Sequence, residues 1–303
     1  MRLVTFLPQL ARDARQPVEP RTGVVVGEAG SEQVVDLTDP VVGLPSDMVA
    51  LLAAGPGAVE SAAGAATTGA RRWDLGEVRL LAPVLLPPKV LAIGLNYRAH
   101  IEEMGREPPA HQYWFNKQRT AVTGPDAPIV IPSVSDQVDY EGELALVIRH
   151  RAHGVPASRW LDVVAGFTVL NDVSVRDWQK HSPTFTMGKS FDTHCPMGPW
   201  IVTPDEVPDA MSLTLRTWVN GELRQDASTS DFLFTPPEMV EYLTTAFPLE
   251  PGDVISTGTP AGVGAGFDPP KWLRPGDTVR IEIGKVGVLE NPVAPHAGDA
   301  AAG

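Results

Sequence analysis

The segment Val138–Arg149, VDYEGELALVIR, holds two glutamates, Glu141 and Glu143, two residues apart. Side chains alternate along a strand, so both carboxylates belong to one face. Like charges about 5–7 Å apart on a buried face repel each other unless a cation lies between them. An isolated Glu-x-Glu is most often a solvated strand face. Here Leu144, Ala145, Leu146, Val147 and Ile148 come directly after and imply burial. Asp172 closes another apolar run, Val164–Leu170, and so belongs at a strand end. Three carboxylates without a nearby His or Cys form a hard, all-oxygen donor set. Such a set suits Mg²⁺, Mn²⁺ or Ca²⁺ better than Zn²⁺, and leaves positions open for water and a chelating substrate.

His100 and Glu103 stand three residues apart in NYRAHIEEMG, neighbours if the segment is helical. A carboxylate beside an imidazole orients it and strengthens it as a general base, although such pairs are also common on helix surfaces. Lys189 lies in MGKSFDT among glycine, aromatic and small residues. An ammonium in that setting is a candidate to stabilise an enolate or a carboxylate, where the bland alternative is a loop lysine. Arg176, Asp177 and Gln179 come closely enough after Asp172 to line the same cleft. Thr257-Gly258-Thr259-Pro260 is a turn with two hydroxyls that could bind a carboxylate. Two other signals are set aside. Gly262–Gly266 is glycine-rich, but Pro269 and Pro270 come after it instead of a helix, so it lacks the context of a phosphate loop. Cys195 has only the adjacent His194 as a sequence partner, and catalytic Cys–His pairs come from distant positions.

The elements that must position these groups are short and β-rich. Leu3–Phe6, Gly23–Val26 and Val34–Leu37 read as strands, and Ser46–Leu52 as a capped helix start. Lys89–Ile93, Val138–Arg149, Val164–Leu170, Val254–Ser256 and Thr278–Ile283 read as further strands. Asn220-Gly221 between Ser212–Val219 and Glu222–Arg224 predicts a type I′ hairpin. Thr235-Pro236-Pro237-Glu238 predicts a capping box opening a helix to about Thr245. Residues 1–82 are plain in chemistry and form an expected small N-terminal α+β domain. Pro83–Pro88 marks an expected boundary, with the chemistry in residues 83–303 and a disordered tail from about Pro295.

Composition narrows the function class. The 303 residues carry a formal net charge of −13, which argues against nucleic-acid binding and against an anionic membrane surface. Gly 28 and Pro 30 make up about a fifth of the chain and point to many turns. A single cysteine allows no intramolecular disulfide, and no signal peptide or membrane-spanning run is read, so a cytoplasmic protein is expected.

Taken in order, the motifs resemble the fumarylacetoacetate hydrolase family. They are Gly94-Leu95-Asn96-Tyr97 with His100 and Glu103, Phe115-Asn116-Lys117, Asp139-Tyr140-Glu141-Gly142-Glu143-Leu144, Asn171–Asp177, Gly188–Asp192 and Ser256–Pro260. The likeness spans about Pro83 to Val293 and is nearest to bacterial two-domain members similar to acylpyruvate hydrolases. It implies an α+β, β-rich fold built as a mixed β-sandwich roll, in homodimers. It further implies Mg²⁺ or Mn²⁺, with Ca²⁺ able to stand in, held at Glu141, Glu143 and Asp172. His100 and Glu103 match the water-activating pair on a lid, and Lys189 matches the catalytic lysine. Tyr97, Lys117, Arg176, Gln179 and Thr259 match positions expected to contact a small 2-oxo acid. Leu95 stands where similar members often carry Arg, and Gln118 where Pro is usual. The reaction expected is hydrolysis of a C–C bond in a 2,4-dioxo acid through an enolate. Decarboxylation of an oxaloacetate-type acid, isomerisation of a hydroxydienoate, and a non-catalytic metal-binding protein are the alternatives.

Overall fold

The computed structural model describes residues 1–9, 19–28 and 30–296. Apolar and β-branched runs give β1 (Arg2–Pro8), β2 (Arg21–Val26) and β3 (Gln33–Asp36). Two short helices come next, α1 (Met48–Ala53), capped by Asp47, and α2 (Pro56–Gly64), then β4 (Arg72–Asp74) and β5 (Val78–Leu80). The next stretch holds β6 (Val90–Gly94), α3 (Arg98–Glu103), β7 (Tyr113–Lys117), β8 (Val122–Thr123), β9 (Ile129–Val130) and β10 (Val138–Asp139). Then come β11 (Gly142–Ile148), β12 (Val164–Asn171), β13 (Ser174–Val175), α4 (Arg176–Gln179) and β14 (Cys195–Val202). The last third holds β15 (Thr214–Val219), β16 (Glu222–Ser228), α5 (Pro236–Ala246), β17 (Val254–Ser256), β18 (Thr278–Ile283) and β19 (Gly287–Ala294). Asn220 and Gly221 both adopt positive φ, as the β15–β16 hairpin requires. Thr235 and Glu238 form the expected capping box of α5.

Among the described residues, twelve strands share one mixed sheet, in the order β4-β3-β2-β1-β14-β12-β11-β17-β6-β7, with β5 beside β1 and β8 beside β14. A second sheet runs β16-β15-β18-β19-β9, and β10 and β13 form a small ribbon. The fold is therefore the β-rich α+β arrangement that the motifs imply. β11 is buried over its whole length, with apolar groups on both faces. Leu144, Leu146 and Ile148 join one core with α5 and β18, whereas Ala145 and Val147 join another with Leu3, Val24 and Leu51. β1 pairs with β14 through Arg2↔Val202 and Leu3↔Ile201, so the first strands extend the very sheet that carries Glu143.

One element differs from expectation. The run Val138–Arg149 is not a continuous strand: β10 pairs with β13, the chain passes Tyr140 and Glu141, and only then enters β11. Gly142 permits that crossing, because a Cβ there would lie 2.4 Å from Thr217 Oγ1 on the other sheet. The expected tail lies, beyond His296, outside the described residues. Among the described residues, no helix is long and apolar enough to cross a membrane.

Candidate active site

β11 and β12 are antiparallel, and Gly142 faces Asn171, so the start of one lies against the end of the other. That register brings Glu141, Glu143 and Asp172 together. All three are buried, and one carboxylate oxygen from each lies within 4.8 Å of the others. The Asp172 amide donates to Glu141 O at 2.9 Å, and the Glu141 amide donates to Asn171 Oδ1 at 3.0 Å. Backbone crossing, and not strand alternation alone, therefore places Glu141.

Cations surround two of the three carboxylates. Lys189 Nζ lies 2.7 Å from both Glu141 Oε2 and Asp172 Oδ2, and Lys117 Nζ lies 2.5 Å from Asp172 Oδ1. Arg176 Nη1 lies 2.7 Å from Glu141 Oε1. Burial opposes the charged form of Glu141, but Lys189 and Arg176 hold its carboxyl down to about 2. Burial also opposes the Lys189 ammonium, and Asp172 and Glu141 more than offset it, leaving its pKa above the ordinary lysine value. Glu143 differs. Its Oε2 accepts from Ser256 Oγ and from the Gly258 amide, and its Oε1 has no protein partner among the described residues. Burial, Asp172 and Glu141 push its pKa well up. An uncompensated buried carboxylate with a free oxygen, beside two further carboxylates, is the setting a divalent cation fits. The donors are all oxygen, as Mg²⁺ or Mn²⁺ prefers.

The imidazole sits on α3. His100 Nδ1 lies 2.9 Å from Glu103 Oε2, so its other nitrogen remains without a protein partner among the described residues. Glu103 Oε1 accepts from the Gly262 amide at 2.8 Å. The same glycine-rich loop holds Asp139, whose oxygens accept from the Gly264 amide at 2.6 Å and the Ala265 amide at 2.9 Å. Asp139 in turn receives Arg176 Nε at 2.8 Å. The loop set aside as a phosphate cradle therefore grips two carboxylates of the site. Gly262 adopts φ +100°, and a Cβ there would lie 1.9 Å from Arg224 O.

These groups border a cavity of about 860 Å³. Glu141, Glu143, His100 and Lys189 line it, as do Arg176, Gln179 and Thr259. Glu103 and Asp172 are not on its wall, but Glu103 bonds to His100, and Asp172 to Lys117 and Lys189. Two expected substrate contacts are not on the wall. Lys117 is fully buried and is the counter-charge of Asp172, and Tyr97 is fully buried edge-on against Phe232 at 4.8 Å. Tyr113, Phe115, Phe185 and Trp272 line the cavity, whereas Trp114 and Trp178 pack against the core. Sequence reasoning missed Asp139 and the amides of the glycine loop as site-building groups. The only signal was the place of Asp139 next to the Glu-x-Glu. Cys195 is buried in β14, and burial pushes its thiol up to about 12, consistent with no nucleophilic role.

Comparison with known proteins agrees with this geometry. The fumarylacetoacetate (FAA) hydrolase C-terminal family matches residues 89–294. The chain is 45% identical over 229 residues to a protein named oxaloacetate tautomerase YisK of Bacillus subtilis (strain 168), covering 74% of this chain and 76% of that one. Among solved structures, a 5-carboxymethyl-2-hydroxymuconate delta-isomerase from Mycobacterium smegmatis superposes with a TM-score of 0.77 at 35% identity, covering 98% of this chain and 100% of that one. A maleylpyruvate hydrolase from Sphingobium sp. SYK-6, in complex with manganese (II) ion and pyruvate, gives 0.78 at 34% identity, over 97% and 99%. A sheet that converges three carboxylates, a helix that presents a His–Glu pair, and matches of this extent lead to one conclusion: the chain belongs to the fumarylacetoacetate hydrolase family.

Proposed function

We propose that the protein is a divalent-metal-dependent enzyme that carries a 2-oxo acid through its enolate. The observation that carries this reading is the placement of His100, Lys189, Glu141 and Glu143 on a single cavity, with Asp172 completing the carboxylate cluster behind them. Glu141, Glu143 and Asp172 would hold the cation, which would supply Lewis-acid stabilisation to the oxygens of the substrate's 2-oxo acid head. Lys189 places a fixed positive charge beside the same oxygens, and it stays protonated because Glu141 and Asp172 face it. His100, oriented by Glu103, takes a proton from C3 while the C2 carbonyl oxygen receives the electron pair. Return of that proton to oxygen or to C3 interconverts keto and enol forms. This tautomerisation is the reading favoured by the relative named oxaloacetate tautomerase.

Hydrolysis of a 2,4-dioxo acid is the second reading, and two observations favour it: the free nitrogen of an oriented imidazole, and a cavity with room for an acyl group. In that reaction His100 takes a proton from water as the water oxygen attacks C4. The C3–C4 bond then breaks toward C3, leaving a carboxylic acid and pyruvate enolate, and the imidazolium protonates C3.

Both readings are tested on one preparation with Mg²⁺ or Mn²⁺. The ultraviolet decay of enol oxaloacetate reports tautomerisation, and pyruvate release from acylpyruvates reports hydrolysis. His100→Gln should lower the true activity by about a hundredfold or more. Full activity in excess chelator would sink the metal-dependent reading.

A further inference from the structure

We propose that Gln225, a buried glutamine on β16 of the second sheet, is a positioning residue of the site. Its side-chain amide fixes the peptide between Glu141 and Glu143 and the hydroxyl of Thr259. The inference rests on the reading of Glu141, Glu143 and Asp172 as a metal site that takes a 2-oxo acid.

Gln225 is the one buried residue of the seven in β16. On the same strand Leu223 is 47% exposed and Gln225 0%, the reverse of what burial of apolar surface favours. A bulge accounts for the inversion. Thr217 pairs with Gln225 and the next residue, Trp218, with Leu223, so Arg224 is the extra residue and the strand is re-aimed there. β16 lies at the edge of its own sheet, and the partners of the Gln225 amide lie across the interior, at the start of β11 and just after β17 of the first sheet.

Gln225 Oε1 accepts from the Gly142 amide at 3.0 Å, and Nε2 donates to Thr259 Oγ1 at 2.8 Å and to Pro260 O at 3.0 Å. A main-chain amide only donates and a carbonyl only accepts, so these partners fix which end of the side chain is oxygen. Thr259 Oγ1 therefore accepts from Nε2 and gives its own proton to Gly142 O at 3.1 Å. Gly142 separates Glu141 from Glu143, and Thr259 comes directly after Gly258, whose amide holds Glu143 Oε2. One side chain from the other sheet thus ties the start of β11 to the turn that grips Glu143. It does so at the cavity, because Thr259 lines the wall. Gly142 leaves room for the amide, since a Cβ there would lie 3.1 Å from Gln225 Oε1. The main chain of the same bulge seats the glycine loop: a Cβ on Gly262 would lie 1.9 Å from Arg224 O and 3.2 Å from Gln225 Cα. A residue that only filled the core would need none of these partners, and an apolar side chain would serve it better.

Gln225→Met tests the assignment, because it keeps the length of the side chain and removes all three hydrogen bonds. Calorimetry, without turnover, reads Mn²⁺ binding to the metal-free protein and pyruvate binding to the Mn²⁺-loaded protein. Each affinity should fall by about tenfold, the scale set by one good hydrogen bond. Val4→Ala, in the core of the first strands, is the control for general loosening: it should lower the melting temperature and leave both affinities unchanged. Thr259→Val should weaken pyruvate binding. Adding Gln225→Met to it should then weaken pyruvate binding clearly less than Gln225→Met does in the wild type, because the amide acts on this ligand through that hydroxyl. If Gln225→Met does not fold, Gln225→Asn, whose amide is one methylene too short for all three partners, is read the same way. Wild-type affinities in the folded Gln225 variant, equal weakening by Val4→Ala, or full additivity with Thr259→Val would overturn the assignment. A wild type that binds no Mn²⁺ overturns the metal reading and the assignment with it, whereas a Gln225 variant that binds both ligands as the wild type does overturns the assignment alone.

Discussion

The two walls of the cavity are built in different ways. The sheet wall carries Glu143 on β11, Asp172 just after β12, and Glu141 in the link before β11, and strand pairing from Gly142↔Asn171 onward fixes them. The helix wall carries His100 and Glu103 on a helix of six residues, too short to hold itself. That helix is hung from outside. The Ala99 amide donates to Asp231 Oδ2, Arg98 reaches the Phe232 carbonyl, and the Gly262 amide holds Glu103. The difference reflects the task of each wall. Three like charges in a buried place need positions that cannot relax apart, which a paired sheet provides. A proton-transfer group needs only correct aim, which a few hydrogen bonds supply. The glycine loop joins the two, through Glu103 on one side and Asp139, Arg176 and Glu141 on the other.

The largest effect should come from the sheet wall. Glu143→Gln keeps the shape and removes the one carboxylate of the three that has no cation partner. Turnover should fall by about a thousandfold or more, and Mg²⁺ should no longer raise the melting temperature. Without metal the variant should melt at the wild-type temperature or above it, because a carboxyl whose ionised form is opposed by burial, Asp172 and Glu141 is replaced by a neutral amide. His100→Gln is the contrasting variant: turnover is lost, but stabilisation by Mg²⁺ persists. If both variants lose the Mg²⁺ response, the two walls are not separable.

Acid should weaken the sheet wall next. His194 ends the segment that delivers Lys189, and its Nε2 lies 2.9 Å from Val130 O on β9. Burial pushes this imidazole down to about 4 from an ordinary 6.5. Between those values the unfolded chain binds a proton that the native state does not. Stability therefore rises with pH across that window, and it falls by roughly 3 kcal/mol on acidification from about 6.5 to about 4. Glu141, held down to about 2 from an ordinary 4.5, loses its contribution as pH falls between those two values, mostly below the His194 window. Urea unfolding at steps across the window should show the slope in the wild type and a flatter line in His194→Gln. Equal slopes would remove His194 as the cause.

Legibility in the sequence divides along the same line. Glu141, Glu143, Asp172, His100, Glu103 and Lys189 are legible because their residue types are costly to bury and their order along the chain is informative. Lys117 and Tyr97 are legible as site residues, but not as residues behind the wall. Their burial depends on β7 lying near Asp172 and on Phe232, contacts far apart in sequence. The prolines after Gly262–Gly266 rule out a phosphate loop but hide its actual role, which lies with partners 125 and 159 residues away. β14 is hard to see because Pro196, Gly198 and Pro199 read as breakers. It exists because β12 and β1 flank it, pairing at Leu170↔Met197 and Leu3↔Ile201.

The smallest of these effects tests the helix wall alone. Gly266 faces Glu103, and a Cβ added there would lie 2.4 Å from Oε1 and 2.6 Å from Cδ. The backbone at Gly266 is in a 3₁₀ turn that alanine adopts without strain, so the carboxylate is what must yield. Glu103 cannot move away without lengthening its bond to the Gly262 amide, its bond to His100 Nδ1, or both. Gly266→Ala should therefore fold normally and bind Mg²⁺ normally, yet lose about tenfold in kcat with little change in KM. A loss shared equally with the Mg²⁺ response would mean that the shift travels through Asp139 and Arg176 into the sheet wall. Unchanged kcat would mean that the aim of His100 does not depend on where the loop seats Glu103.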